Sequence, residues 1–245
     1  ARQTINRWVE DKTNDKIKEL LKPGVLNSDT RLVLTNAIYF KGDWANQFKP
    51  TKTRPMPFHV NEAQKVDVPM MRQSGSFLFA ETDAVKVLEL PYVGNELSMV
   101  LVLPKGKPEE FAQALDLSRL HEWQAMLAWQ EVDIYLPKFK FETQYELKEL
   151  LSDMGMLDAF ELPPADFSGI SGHKDLYITK VIHKAIIEVN EEGSEAAAAT
   201  AVVVGTKAVM HKPVFKADHP FLFMIRHNET GSILFMGRVA NPTTK

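Results

Sequence analysis

The 245 residues carry 29 lysines and arginines against 32 aspartates and glutamates, a formal net charge of −3, with 44% hydrophobic and 25% charged side chains. This is globular composition, without the basic footprint of a nucleic-acid binder or a polybasic membrane signal, and no apolar run approaches the roughly 18 residues of a spanning helix. The absence of cysteine excludes a disulfide framework, a thiolate nucleophile and a cysteine metal site.

Ile5, Val9, Ile17 and Leu20 or Leu21 recur near helical spacing between charges, which predicts a helix over 3–21 ended by Pro23-Gly24. Residues 31–40 are apolar on both faces and predict a strand interior to a sheet. Residues 56–104 hold a succession of short β-like runs, most of them separated by turn residues such as Val93-Gly94-Asn95-Glu96. Residues 108–130 predict a helix, 134–142 a strand, and 145–155 a helix closed by Gly155. A long alternating strand is expected over 176–190, and a hairpin over 221–239 around Asn228-Glu229-Thr230-Gly231. Asn228-Glu229-Thr230 is also a glycosylation sequon, although a hairpin turn accounts for Asn and Thr equally well. With no repeat, linker or boundary visible, the expectation is α+β, strand-rich and a single domain over 1–245.

Two polar residues stand on apolar strand faces. Asn36 shares its face with Leu32, Leu34, Ile38 and Phe40, and His183 shares its own with Tyr177, Val181, Ala185, Ile187 and Val189. A buried polar group without a partner costs about 1–3 kcal/mol. Each is satisfied by backbone or water, or the two bond each other across neighbouring strands.

Motifs for catalysis are missing. The seven histidines form no His-Glu-x-x-His pattern. Gly205-Thr206-Lys207-Ala208 fails as a phosphate loop, because Thr200 stands where the earlier glycine belongs and Ala208 where a Ser or Thr belongs. Gly169-Ile170-Ser171-Gly172 lacks the spacing of a nucleophile elbow.

The informative stretch runs from Glu191-Glu192-Gly193-Ser194-Glu195 through Ala196, Ala197, Ala198, Ala199 and Thr200 to Lys207-Ala208. As a strand, one face carries Ser194, Ala196, Ala198, Thr200, Val202 and Val204, small and uncharged enough to slide into a packed sheet. Taken alone, the same residues also describe an alanine-rich helix start or a buried strand.

The chain resembles the serpin family along its length. Phe215-Lys216-Ala217-Asp218-His219-Pro220-Phe221-Leu222-Phe223-Met224-Ile225 is similar to the family's C-terminal signature, and Leu234-Phe235-Met236-Gly237-Arg238-Val239 with Asn241-Pro242 to its last strand. Thr35-Asn36-Ala37-Ile38-Tyr39-Phe40-Lys41-Gly42-Asp43-Trp44 resembles its third main-sheet strand, and Asp166-Phe167-Ser168-Gly169-Ile170-Ser171 and His183-Lys184-Ala185 match as well. The family's opening helices and first main-sheet strands have no counterpart among these residues. The resemblance therefore implies a partial serpin domain with three β-sheets and surrounding helices.

The resemblance also implies roles. Asn36 and His183 match the "shutter" pair, and Trp44 the "breach" tryptophan, with Lys138 and Glu191 as an ion pair nearby. Residues Glu191 to Thr200 match the hinge of a reactive loop spanning about 191–212. The bait residue of such loops lies fourteen after the hinge glycine, which gives Lys207 and the bond Lys207–Ala208; a slip of register gives Thr206 or Ala208, and Lys212 is a more distant alternative. The expected function is suicide inhibition of a trypsin-like serine protease, whose acidic pocket suits lysine, through a covalent acyl complex. The alternative is a non-inhibitory serpin used for binding or chaperoning. No enzyme activity, metal, cofactor, nucleic-acid or membrane partner is expected, and no residue pattern names a glycosaminoglycan site. The complete protein is expected to be secreted and monomeric, with polymerisation as an alternative state.

Overall fold

In the computed structural model, which describes residues 1–107, 116–192 and 212–244, helix α1 covers Arg2–Lys12 and stops well short of Pro23. The expected helix over 3–21 is thus halved. Thr13 ends it, and Asn14 and Asp15 follow at φ 48° and 60°, a left-handed conformation that their short polar side chains tolerate. Thr13 Oγ1 donates to the Val9 carbonyl and accepts from the Ile17 amide. Further on, the Asn6 side chain takes both main-chain groups of Leu21, donating at 2.9 Å and accepting at 2.8 Å. Ile17, Leu20 and Leu21 are still fully buried, so the apolar spacing was set by burial through turns rather than by a continuous helix.

The chain divides into two units, residues 1–40 with 140–187 and residues 41–139 with 188–244. In the first, strands β1 (Leu32–Phe40), β7 (Phe139–Glu146) and β8 (Ile178–Val189) form a sheet in the order β1-β8-β7. β1 and β8 run parallel, with Asn36 opposite His183. Val9, Ile17, Leu20 and Leu21 pack against Ile182 and Ile186 of β8, with Val33, Ala37 and Tyr39 of β1 alongside. Fully burying side chains of this size contributes ~1.5–3 kcal/mol each. β1 was expected inside a sheet; among the described residues it pairs with β8 alone and lies at an edge. Leu34, at 41% exposure, stands on its open face.

The second unit holds an eight-stranded sheet. Its strands are β2 (Arg54–His59), β3 (Lys65–Glu81), β4 (Val85–Pro91), β5 (Leu97–Pro104), β6 (Ala128–Pro137), β9 (Val214–Lys216), β10 (Phe221–His227) and β11 (Ile233–Val239). They follow the order β11-β10-β5-β4-β3-β6-β9, with β2 paired to β3. β3 continues through Ser74-Gly75-Ser76, because β6 matches it residue for residue from Met70 to Phe79. The helix expected over 108–130 covers Leu117–Ala125 among the described residues, where Asp116 caps it by accepting from the Arg119 amide at 2.8 Å. Strand β6 has begun by Ala128. The single strand expected over 134–142 is two, divided at Lys138, whose amide still donates to the Pro69 carbonyl of β3. Gly155, at φ +100°, follows the helix Lys148–Asp153 as its spacing predicted, while Tyr145 and Glu146 belong to β7. The fold is mixed α and β with strands predominating.

Candidate functional site

Strand β8 runs into Asn190-Glu191-Glu192, and a set of distant residues takes hold of that tripeptide. Trp44 Nε1 donates to the Asn190 carbonyl at 2.9 Å, the Phe48 amide to the Glu191 carbonyl at 3.0 Å, and the Trp44 amide to the Glu192 carbonyl at 3.3 Å. Gln47 Nε2 reaches the same Glu192 oxygen. The Glu191 carboxylate, on a residue 8% exposed, pairs with Lys138 Nζ at 2.7 Å and accepts from Thr53 Oγ1 at 2.8 Å. Burial alone raises a carboxyl's pKa, but here the hydrogen bonds from Lys138 and Thr53 outweigh it and hold Glu191 below the usual glutamate range.

Trp44 is itself fixed. Its ring stacks on Tyr92 at 4.6 Å between centroids and meets Phe48 edge-on at 6.4 Å, geometries that add ~0.5–1.5 kcal/mol per pair beyond area burial. Burial pushes the Tyr92 hydroxyl far up, so it stays protonated. The structure therefore brings together Trp44, Lys138 and Glu191, three residues singled out from sequence. It adds Thr53, Phe48, Gln47 and Tyr92, which were missed because each is far in sequence from Glu191 and none stands out in its own segment.

In the other unit, His183 Nδ1 lies 2.9 Å from Asn36 Oδ1. With the amide oxygen accepting, Nδ1 is the nitrogen that carries the proton. Tyr145 stacks on the imidazole at 6.4 Å. The partnership between strands is present, but Asn36 is exposed and His183 half-buried, so the burial expected for this face is not found.

Of the expected hinge, Glu191 and Glu192 are described. Gly193, Ser194, Glu195, Ala196, Ala197, Ala198, Ala199, Thr200 and the bond Lys207–Ala208 lie outside the described residues. Lys212, the distant alternative for the bait, pairs with Glu131 at 3.0 Å. Asn228 of the sequon donates through Nδ2 to the Asn95 carbonyl and to Ser98 Oγ, which ties its hairpin turn to the neighbouring turn between β4 and β5. Among the described residues no group of three or more His, Asp or Glu is placed to hold a metal ion, and no helix is long and apolar enough to cross a membrane.

At the base of the expected loop's far end, His219 bridges two groups. Its Nδ1 is 2.9 Å from Asp218 Oδ1 and its Nε2 is 2.8 Å from the Pro104 carbonyl. Both partners are acceptors, an arrangement that favours the cationic imidazole, in which both ring nitrogens donate. The Asp218 hydrogen bond raises the His219 pKa against the opposing effect of burial. Asp218 is opposed by burial but lowered to about 2 by His219 and Lys216.

A family model described as "Serpin (serine protease inhibitor)" matches residues 1–242. The leukocyte elastase inhibitor of Xenopus tropicalis is 48% identical over 99% of this chain and 66% of its own length. Serpin B11 of Homo sapiens is 45% identical over 99% of this chain and 63% of its own. The crystal structure of uncleaved ovalbumin superimposes with a TM-score of 0.87 at 37% identity, covering 98% of this chain and 62% of that one. The chain thus spans about two thirds of the length of the relatives it matches. Two expectations are corrected by these relatives. The Xenopus relative is named for leukocyte elastase rather than a trypsin-like protease, and elastase offers a small pocket where trypsin offers an acidic one, so the trypsin-like specificity read from Lys207 is withdrawn. The same leukocyte inhibitors and group B serpins point away from secretion, so the extracellular location is withdrawn too.

Proposed function

We propose that this chain, which belongs to the serpin family, is the loop-bearing part of a suicide inhibitor of a serine protease. The observation that supports this most is the grip on Asn190-Glu191-Glu192, because it fixes the point from which a loop of small side chains departs. Residues 1–245 are read as part of one serpin domain, with Asn36 and His183 as its shutter pair, Trp44, Lys138 and Glu191 as its breach, and Glu191 to Thr200 as its hinge.

The chain contributes a bond and no catalytic group. The protease's serine attacks the carbonyl of the bait residue, the peptide C–N bond breaks, and an acyl-enzyme forms while the new amino terminus departs. The freed loop enters the main sheet as an added strand. Each new backbone hydrogen bond contributes ~0.5–1.5 kcal/mol net, and over a loop of this length the sum is of the order of a domain's whole stability, ~5–15 kcal/mol. A protease dragged with the loop loses geometry at its oxyanion hole, where one lost donor costs about 10²–10³ in rate, and deacylation stalls. The uncleaved state is then kinetically trapped.

The proposed bond is Lys207–Ala208, with Ala208 as the bait if the register slips by one. A small residue suits the small pocket of an elastase, and the relatives' name makes elastase the protease to try first. The test is to incubate the full-length protein with leukocyte elastase, look for an SDS-stable complex, and identify the released peptide by mass spectrometry. A complex with cleavage at Lys207 or Ala208 supports the reading. Cleavage without a complex refutes inhibition and favours a serpin used for binding, although the small residues from Ser194 to Thr200 speak against that use.

A further inference from the structure

Strands β2, β3 and β6 carry a cleft that the proposed inhibition does not use. Arg54 lies opposite Met70 across β2 and β3, and Arg72 opposite Tyr135 across β3 and β6. Because side chains alternate along a strand, Arg54, Met56, Met70, Arg72 and Tyr135 share one face. Thr51 and Lys52, from the 3-10 turn Pro50–Lys52, also line it. The cleft has a volume of about 330 Å³. Its floor is apolar: Met70 is 1% exposed and Met56 half-buried.

Its rim is cationic and only partly compensated. Arg72 lies over the Tyr135 ring at 5.2 Å and 3.7 Å from Asp133, which also accepts from Ser74. Arg54 Nη1 donates to its neighbour's carbonyl on Thr53. Neither Lys52 nor Arg54 has a carboxylate partner among the described residues. A guanidinium and an ammonium at the mouth of an apolar cleft match a single anionic head, with the fork geometry of arginine favouring carboxylate or phosphate. At about 30 Å³ per water-sized group, the volume takes a ligand of about ten non-hydrogen atoms.

We propose that this cleft binds a small organic anion, its charged head between Lys52 and Arg54 and its apolar body against Met56, Met70 and the wall made by Tyr135. Methionine thioethers adapt to irregular apolar bodies. Ligands of this size reach affinities of about millimolar or tighter. The site has a structural link to the hinge, since Thr53 sits between the two cations and donates to Glu191.

The test uses full-length protein labelled with ¹³C at its methionine methyls, with Met56→Leu and Met70→Leu to assign the two signals. Octanoate and phenyl phosphate carry the anionic head on different bodies; 1-octanol and inorganic phosphate each lack one half. The expected result is saturable shifts of the Met56 and Met70 methyls with octanoate or phenyl phosphate, the tighter of the two identifying the body, and little effect from either half alone. Lys52→Glu with Arg54→Glu should weaken binding about tenfold or more, with Lys52→Glu alone as the milder variant should the pair disturb folding. Shifts that never saturate, octanol binding as tightly as octanoate, or unchanged affinity in Lys52→Glu and the double variant overturns the proposal. None of these results bears on inhibition, which the elastase complex tests separately.

Discussion

Glu191→Gln is expected to loosen the grip on the loop's origin without changing its shape. The carboxylate takes hydrogen bonds from Lys138 at 2.7 Å and Thr53 at 2.8 Å, and glutamine keeps the volume and one accepting oxygen, so the charge is what goes. A hydrogen bond to a charged group contributes ~1.5–3 kcal/mol, but the Lys138 side chain is 37% exposed, and solvent-screened pairs contribute only ~0–1 kcal/mol. Weighing the buried carboxylate against the wet ammonium gives a loss of about 1–2 kcal/mol, or about 2–6 °C in melting temperature. The assay is a double-mutant cycle with Lys138→Met on the full-length protein, followed by tryptophan fluorescence during urea unfolding, since Trp44 sits in the network. A coupling of ~0.5–1.5 kcal/mol is expected. Because the Glu191 pKa is depressed on folding, its contribution is present above the unfolded glutamate value and is lost as pH falls through the lower folded value. The variant should therefore also flatten the acid limb of the stability profile. Additive single changes with an unaltered acid limb would refute the view that the ion pair holds the hinge.

His219 is expected to stabilise the fold below the unfolded imidazole value and to lose that effect as pH rises through its raised folded pKa, since Asp218 and the Pro104 carbonyl both accept from its ring nitrogens; His219→Gln should flatten the profile above about pH 6.5, and an NMR titration of the imidazole checks it. Gly237→Ala is expected to cost ~1–3 kcal/mol in urea unfolding, because the added Cβ meets the Phe223 ring at 2.6 Å. Ser194→Arg or Ala198→Glu places a charge on the face proposed to enter the sheet, and an unpaired buried charge costs several kcal/mol, about 3–5. Acylation should continue while insertion slows, so that stoichiometry measured against elastase rises and the loop is cut as a substrate. Unchanged stoichiometry would refute the insertion face.

What could be read from sequence was what alternates or repeats locally. The period-two pattern of residues 176–190 located β8, and apolar neighbours on each face marked Asn36 and His183 as polar residues in need of a partner; of the two readings left open, the structure shows the bond between them, at 2.9 Å. Gly155 and the turn at 228–231 followed from backbone chemistry. The false continuation of α1 shows the limit of periodicity: Ile17, Leu20 and Leu21 are buried at helix-like spacing while Asn14, Asp15 and Glu19 take positive φ, so burial was legible and the path of the main chain was not. Thr53 and Tyr92 were illegible for another reason. Their contacts with Glu191 and Trp44 are set by how β2, β4 and the chain after β8 converge, and nothing in a threonine before a strand or a tyrosine after one announces such a partner.

The correction of the protease class leaves the proposed insertion intact, and the reason is geometric. Which side chains enter a sheet is decided by parity counted from the anchored end of a strand, because a slip of one residue exchanges the two faces. Here the anchored end is Glu191, held by Lys138, Thr53 and the Phe48 amide. In the proposed inserted strand, counting from that point puts Ser194, Ala196, Ala198 and Thr200 on one face whichever bond is cut downstream. The identity of the bait residue sets which protease attacks; the distance from Glu191 sets what can be inserted afterwards. A cut at Ala208 in place of Lys207 therefore changes the enzyme that is trapped and lengthens the freed strand by one residue, without turning a single hinge side chain over. Specificity and trapping are separable in this arrangement. A loop exchanged beyond Thr200 should redirect inhibition to another protease at unchanged stoichiometry, and a rise in stoichiometry after such an exchange would show that the far end of the loop also governs insertion.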